Sequence, residues 1–234
     1  QPSPICIGTA TDPYQPVESQ RRVTRQIIEV LWEHRHPLSI ITKSQLICED
    51  IDLLARMAEQ RLVRVMVSLT TLDNQVKRWL EPRTASGEAR VRTIRQLTEA
   101  GIPVGVLVAP LIPWINDDEL ELLVERAAEA GADSAAFILL RLPNEVAPLF
   151  VEWLHAHYPD RADKVLNTLR AARGGRLNDP RFGERMRGQG DYSALLGQRF
   201  ALACRKAWIG RREAPDLDCS QFRIPNKDRQ LALF

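Results

Sequence analysis

Residues 62–69 read Leu-Val-Arg-Val-Met-Val-Ser-Leu, residues 103–109 read Pro-Val-Gly-Val-Leu-Val-Ala, and between them Gly87 to Ala100 forms one amphipathic run closed by Gly101. The outer stretches are apolar on neighbouring positions, the pattern of strands covered in a parallel sheet, and the run between them is long enough for a crossover helix. Working outward, the unit repeats. Pro4 to Thr9 reads as a short buried strand, followed by a helix from Glu18 to Arg35 with Val23, Ile27, Val30 and Leu31 at helical spacing. Leu38 to Thr42 is followed by a helix from Asp50 to Gln60, and Asp117 to Ala130, closed by Gly131, leads into Ser134 to Leu140. No tight hairpin signal separates these five strands. The expectation is an α/β protein with one parallel sheet in sequential order and helices on one side, closing towards a barrel or lying open. Either form puts a ligand at the C-terminal ends of the strands.

After Leu140 the pattern changes to helices alone: Glu145 to His157, Arg161 to Arg173 and Tyr192 to Trp208. The organisation expected is a core over 1–142 and a helical, Arg-rich extension over 143–234. The stretch from Arg211 to Phe234 is charged and turn-rich, with Leu231, Leu233 and Phe234 at its tip.

Bulk properties narrow the class. At 234 residues and 44% hydrophobic content the chain can bury one large core. No run of eighteen apolar residues and no signal-peptide pattern exists, so a cytoplasmic protein without a membrane span is expected. Cys6, Cys48, Cys204 and Cys219 form no Cys-x-x-Cys pair, which argues against a disulfide framework or a compact zinc site. A net charge of +2 gives the whole molecule no strong pull towards nucleic acid or anionic lipid. Gln1 is not a methionine and a strand-like run begins within four residues of it, so the chain is expected to begin inside a longer protein.

The strand ends carry the candidate site. Thr9-Ala10-Thr11-Asp12-Pro13-Tyr14 combines hydroxyls, a carboxylate and a proline-fixed turn, suited to an ammonium group or, equally, to a helix entry that Asp12 caps. Ile41-Thr42-Lys43-Ser44 puts a point charge suited to a carboxylate or phosphate at the mouth of the second strand, where a solvated lysine would also stand. The third strand ends in Val67-Ser68-Leu69-Thr70-Thr71. The fourth ends in Val108-Ala109-Pro110, an apolar edge able to lie against a planar ring. Together these complement an amino acid joined to a nucleoside.

Thr42-Lys43, Val67-Ser68, Leu80-Glu81-Pro82-Arg83-Thr84, Ala100-Gly101-Ile102-Pro103-Val104-Gly105 and Val108-Ala109-Pro110 occur in an order that resembles the radical S-adenosylmethionine (SAM) proteins similar to spore photoproduct lyase. The resemblance covers about Ile7 to Leu140. Arg173 to Asp179 and Arg181 to Met186 resemble an uncharacterised bacterial branch of that group. It implies a partial (β/α) barrel with five of six βα units present. It also implies SAM across the top, with Lys43 at the SAM carboxylate, Ser68 and the Thr9, Thr11 and Asp12 loop at its amino-acid and ribose groups, and the Ala109 backbone at its adenine. The family further implies a 4Fe-4S cluster on a Cys-x3-Cys-x2-Cys loop after a first strand, and that loop is absent from this sequence. The lyase's hydrogen-donating cysteine falls at Thr9 here, with Cys6 three residues earlier inside the strand, which counts against lesion repair by that route.

The remaining features are blander. The pairs His34/His36 and His155/His157 sit near predicted helix ends, where imidazole offsets the macrodipole, and residues two apart share no helix face. The five tryptophans are expected in the core or at interfaces. Residues 161–190 hold eight Lys or Arg against three acids, a solvated connection or a track for a phosphate backbone. The functional expectation is a radical SAM enzyme, its partners SAM and a reductant, generating a 5′-deoxyadenosyl radical for an unknown substrate. The alternatives are a non-catalytic SAM-binding module without the cluster and a nucleic-acid-binding protein using the arginine-rich segment.

Overall fold

The computed structural model describes residues 2–178, 181, 184–210 and 216–224. Five parallel strands, β1 (Ile5–Ile7), β2 (Leu38–Thr42), β3 (Val63–Ser68), β4 (Val104–Leu111) and β5 (Ser134–Leu139), form one sheet in the order β1-β2-β3-β4-β5. Between them run α1 (Glu18–Arg21), α2 (Val23–Glu33), α3 (Ile51–Glu59), α4 (Asn74–Leu80), α5 (Gly87–Glu99) and α6 (Leu120–Glu129). After β5 come α7 (Val146–His157), α8 (Ala162–Ala171), α9 (Glu184–Arg187) and α10 (Gly190–Lys206). The architecture is the expected α/β fold, a partial parallel (β/α) barrel with extra C-terminal helices.

The strands are covered unequally. Leu38, Ile40, Val63, Val65, Val67, Val104, Val106 and Val108 are buried, whereas Ser39, Ile41, Arg64, Met66 and Leu107, pointing to the other face, are only half-buried. The buried row shares one core with Leu54 and Met57 of α3, Ile94 and Leu97 of α5, and Leu123 and Val124 of α6. Sequential parallel pairing registers Met66 of β3 with Gly105 of β4, and Gly105 with Ser134 of β5. A Cβ on Gly105 would stand 2.5 Å from Met66 Sδ and Ser134 Oγ, so a side chain there would force the neighbours apart.

The first unit departs from expectation. The helix expected over 18–35 is broken at Arg22, whose φ of 49° is left-handed, and Glu18 Oε2 instead accepts a hydrogen bond from Thr24 N–H (2.7 Å), capping the restarted helix. α2 turns Thr24 and Ile28 inward, because the Thr24 hydroxyl donates to the Pro13 carbonyl (2.6 Å), and its Val23, Ile27 and Val30 stay exposed at 48%, 45% and 52%. β1 itself, read as buried, is mostly exposed and pairs only with β2.

The helices after β5 fold back over the loops that leave β3 and β4. Trp153 Nε1 donates to the Trp79 carbonyl (2.9 Å), and His157 stacks on Trp79 with ring centroids 4.8 Å apart. Trp114, beyond β4, donates to Thr168 Oγ1 (2.9 Å), and Tyr192 of α10 donates to Asp117 Oδ2 (2.6 Å). The extension thus roofs the β3–β4 side of the mouth and leaves the β1–β2 side open. Of the tryptophans, Trp114 and Trp208 are 38% and 66% exposed and so do not belong to the core. Residues 216–224 pack under the opposite end, where Asp218 N–H bonds the Arg61 carbonyl and Arg223 N–H the His34 carbonyl; Leu231, Leu233 and Phe234 lie outside the described residues.

Gly8 links β1 to the first candidate loop at φ 94°, and a Cβ there would stand 1.9 Å from the Ile41 carbonyl oxygen. Left-handed strain and a clash with backbone act together, so Gly8→Ala is expected to destabilise by about 2 kcal/mol or more. Urea unfolding followed by circular dichroism measures this. An unchanged midpoint would contradict the close approach.

Candidate functional site

The loops at the C-terminal ends of β1, β2 and β3 are joined through two carboxylates, Asp12 between the first and second and Glu81 between the second and third. Beyond β1, Asp12 Oδ1 accepts from Tyr14 N–H (2.9 Å) and from the Thr42 hydroxyl (2.7 Å), while Oδ2 accepts from Lys43 N–H (2.8 Å). Asp12 therefore ties the first loop to the second, using three of the roughly four acceptor positions a carboxylate offers. Tyr14 is buried and donates to Asp50 Oδ2 (2.9 Å), and Arg25 holds Asp50 from α2 (3.0 Å). Burial and the adjacent Asp50 both push the Tyr14 phenol well above its ordinary value, so it remains a donor. Beyond β2, Ser44 Oγ accepts from Leu46 N–H (3.3 Å) and starts the short helical turn over 45–50.

The second carboxylate is Glu81, at the end of α4. It accepts from Lys43 Nζ on one oxygen and from Arg90 Nη2 (2.6 Å) on the other. Thr70 Oγ1 lies 3.2 Å from Glu81 Oε1 and 3.0 Å from the Ala109 carbonyl oxygen. Arg90 also donates to the Ser68 carbonyl (3.1 Å) and to Thr84 Oγ1 (2.6 Å), joining β3 to the loop over 81–85, while Thr70 makes the link to β4. Burial alone would raise the Glu81 carboxyl, but Arg90 and Lys43 overcome it and hold the group below its ordinary value. Lys43 and Arg90 balance Glu81 and the Asp12 carboxylate, so the surplus positive charge at the mouth comes from Arg83.

Over this network opens a cleft of about 500 Å³ lined by Asp12, Tyr14, Lys43, Leu46, Arg83 and Thr84, among others. Of the residues the sequence singles out, Asp12 and Lys43 line it together. Thr9 and Thr11 are exposed on its first loop, with the Thr11 hydroxyl accepting from Gln15 Nε2 (2.8 Å). Ser68 and Ala109 are buried behind the Thr70 and Arg90 contacts rather than in the cleft wall. Sequence reading assigns no role to Glu81, Arg90 or Arg83. The signal for Arg90 is its place on the buried face of α5 beside Ile94 and Leu97, where an arginine needs an acid. Arg83 is exposed at the cleft and makes no ion pair among the described residues.

Metal is a different matter. Among the described residues no group of three or more His, Cys, Asp or Glu is placed to hold an ion. Cys6 is exposed on β1, and Cys48, Cys204 and Cys219 stand on three further elements. No helix among the described residues is long and apolar enough to cross a membrane.

Comparison with known proteins gives the family and the likeness of fold. The family model described as the radical SAM superfamily matches residues 5–127, more than half of the chain. An uncharacterized protein of Mycobacterium tuberculosis is 35% identical over 158 residues, 67% of this chain and 46% of that protein. A protein named radical SAM Nα-GlyT isomerase from Pseudomonas phage M6 is 26% identical over 160 residues, 68% of this chain and 33% of that protein. The chain thus spans less than half the length of these two relatives. Among solved structures, spore photoproduct lyase complexed with dinucleoside spore photoproduct superimposes with a TM-score of 0.58 at 18% identity, over 83% of this chain and 56% of that one, a likeness of fold.

Removing the Glu81 charge leaves Lys43 and the buried Arg90 facing each other, and breaking such a pair costs on the order of 3 kcal/mol. Glu81→Gln is therefore expected to unfold at clearly lower denaturant at pH 7. Because the folded Glu81 value is depressed, its contribution is present above the ordinary glutamate value of about 4.3 and is lost as pH falls below it, so the two proteins should converge in acid. Equal stability at pH 7 would show that Glu81 does not hold the site together.

Proposed function

Because this chain belongs to the radical SAM superfamily, we propose that it is the SAM-binding core of an enzyme that performs 5′-deoxyadenosyl-radical chemistry. The observation that carries the reading is the cleft at the ends of β1 and β2, where Lys43 and the Asp12 loop converge over the Glu81 network. Members of the superfamily are generally enzymes and typically use SAM with a 4Fe-4S cluster. The residues at the cleft fit SAM: Lys43 and Arg83 offer cations to its carboxylate and Thr11 lies on the adjoining loop, while Ser68 and the Ala109 backbone, the sequence-derived partners for its remaining groups, stand buried behind the wall. When bound beside a reduced cluster, SAM supplies a radical that abstracts hydrogen from substrate. What this chain's own residues do is hold and orient. Glu81 fixes the Lys43 ammonium, Asp12 fixes the backbone at Lys43, and Tyr14 fixes the loop that covers them.

The residues present do not fit the cluster, whose three thiolates must converge. Two features favour a further βα unit that would bring them. The outer edge of β1 has no strand partner among the described residues, and the adjoining face of α2 exposes Val23, Ile27 and Val30. In this reading 1–142 is the barrel core and 143–234 its helical, Arg-rich extension, of which α7, α8 and α10 cover the loops beyond β3 and β4, and a reductant-dependent centre among reduced thiols suits the cytoplasm. The substrate class best supported is nucleic acid, given the basic residues over 161–190 and the dinucleoside named with the lyase of like fold. A SAM-binding module that performs no chemistry is the second reading, favoured by the missing thiolate set.

Two measurements test this. Anaerobic reconstitution of this chain with iron and sulfide is expected to give far fewer than about four irons per chain, since no three thiols converge. With the preceding βα unit present and loaded, Lys43→Ala should weaken SAM binding roughly 10- to 150-fold, Ser68→Ala less, and Lys164→Ala, whose ammonium lies over the Trp114 ring, not at all. Calorimetric titration gives the order directly. SAM binding as tight in Lys43→Ala as in wild type would assign the cleft to another ligand.

A further inference from the structure

We infer that Arg141 is the receptor for a phosphate group of the substrate, at the β5 side of the same strand-end site; this rests on the function proposed above. Arg141 stands two residues beyond β5, on the C-terminal side of the sheet with Lys43 and Arg83. Its Nε is buried without a hydrogen-bond partner, and its Nη1 reaches only the Met186 sulfur at 3.8 Å. No carboxylate lies within ion-pair distance of it among the described residues.

The neighbouring arginines show what a structural role looks like. Arg90 has Glu81, and Arg173, 1% exposed, donates from its two Nη atoms to the carbonyls of Leu139, Leu140 and Arg185, although its Nε too is buried and unmet. Arg141 instead keeps a permanent charge half-buried against a thioether, a weak acceptor. Unlike Arg173, Arg141 has no oxygen acceptor for any of its N–H groups among the described residues, and because a buried N–H left unmet counts against folding, its charge calls for a partner outside the folded chain. A guanidinium fork with open N–H groups matches an oxyanion in bidentate fashion, and phosphate is the oxyanion for which arginine is best shaped. Met186 lies between Arg185 and Arg187 on α9, in the segment where Lys and Arg outnumber acids eight to three, so an arriving phosphate would replace the sulfur within a basic surrounding. The phosphate of a free nucleotide and that of a single strand of nucleic acid share this chemistry.

The test uses the chain as it is, with wild type, Arg141→Gln, Arg141→Lys and the exposed control Arg170→Gln. Each is titrated with cytidine 5′-monophosphate, with a single-stranded octanucleotide and, separately, with SAM, and each is melted without ligand. Arg141→Gln is expected to lose about 10-fold or more in affinity for the phosphate probe. Arg141→Lys, which keeps the charge but not the fork, should fall between, and Arg170→Gln should match wild type. Loss on the mononucleotide identifies a free nucleotide, and loss on the octamer alone identifies a strand. The melting temperature of Arg141→Gln should equal or exceed that of wild type, because the variant removes an unmet buried cation. Equal phosphate affinity in wild type and Arg141→Gln, no binding of either probe by wild type, or a clearly lowered melting temperature would overturn the assignment. SAM is read independently, so a missing SAM signal beside an Arg141-dependent phosphate signal would refute the cofactor reading and not the subsite.

Discussion

The structure depends on one buried carboxylate. Glu81 sits where α4 ends and is gripped by Lys43 from β2 and Arg90 from α5, while Arg90 reaches the end of β3 and Thr70 connects to β4. An ion group of this kind adds little net stability by itself, because desolvation offsets much of the attraction. Its effect is geometric: four separate elements must arrive in one register for the charges to be met. The lysine that an anionic ligand would use is thereby held at the cleft, where Arg83 adds a further positive charge.

Around that point the fold divides its labour. Right-handed βα units bring every strand end to one side, and the helices after β5 return to cover the loops beyond β3 and β4 through Trp79, Trp153 and Trp114. What remains open is the β1–β2 side, whose loops are fixed by Asp12, Tyr14 and Asp50 rather than by apolar packing. The edge of β1 and the outer face of α2 stay uncovered beside it, so the cleft is bounded on one side by surface suited to another layer of structure.

The strands and their order were legible because covered parallel strands leave a run of apolar residues that few other elements share, as in Val63 to Ser68 and Val104 to Leu111. Helix faces were less legible. Two apolar stripes run along α2, and the stripe containing Thr24 faces the core only because its hydroxyl finds the Pro13 carbonyl, a partner eleven residues away. The site was half legible. Lys43 and Asp12 announce themselves at strand ends, but Glu81 is a carboxylate in a loop until Arg90 is known to stand opposite it. Spacing of nine residues across a turn and a new helix carries no period from which that pairing follows.

The central claim is that the β1–β2 cleft over Glu81 binds SAM, and amide hydrogen exchange with and without SAM addresses it most directly. The account predicts slowed exchange in the segments around Thr11 to Gln15, Lys43 to Leu46 and Arg83 to Ala85, with the helices α6 and α10 on the far side unchanged. Protection confined to those far helices, or none in the three loops at saturating SAM, would contradict it.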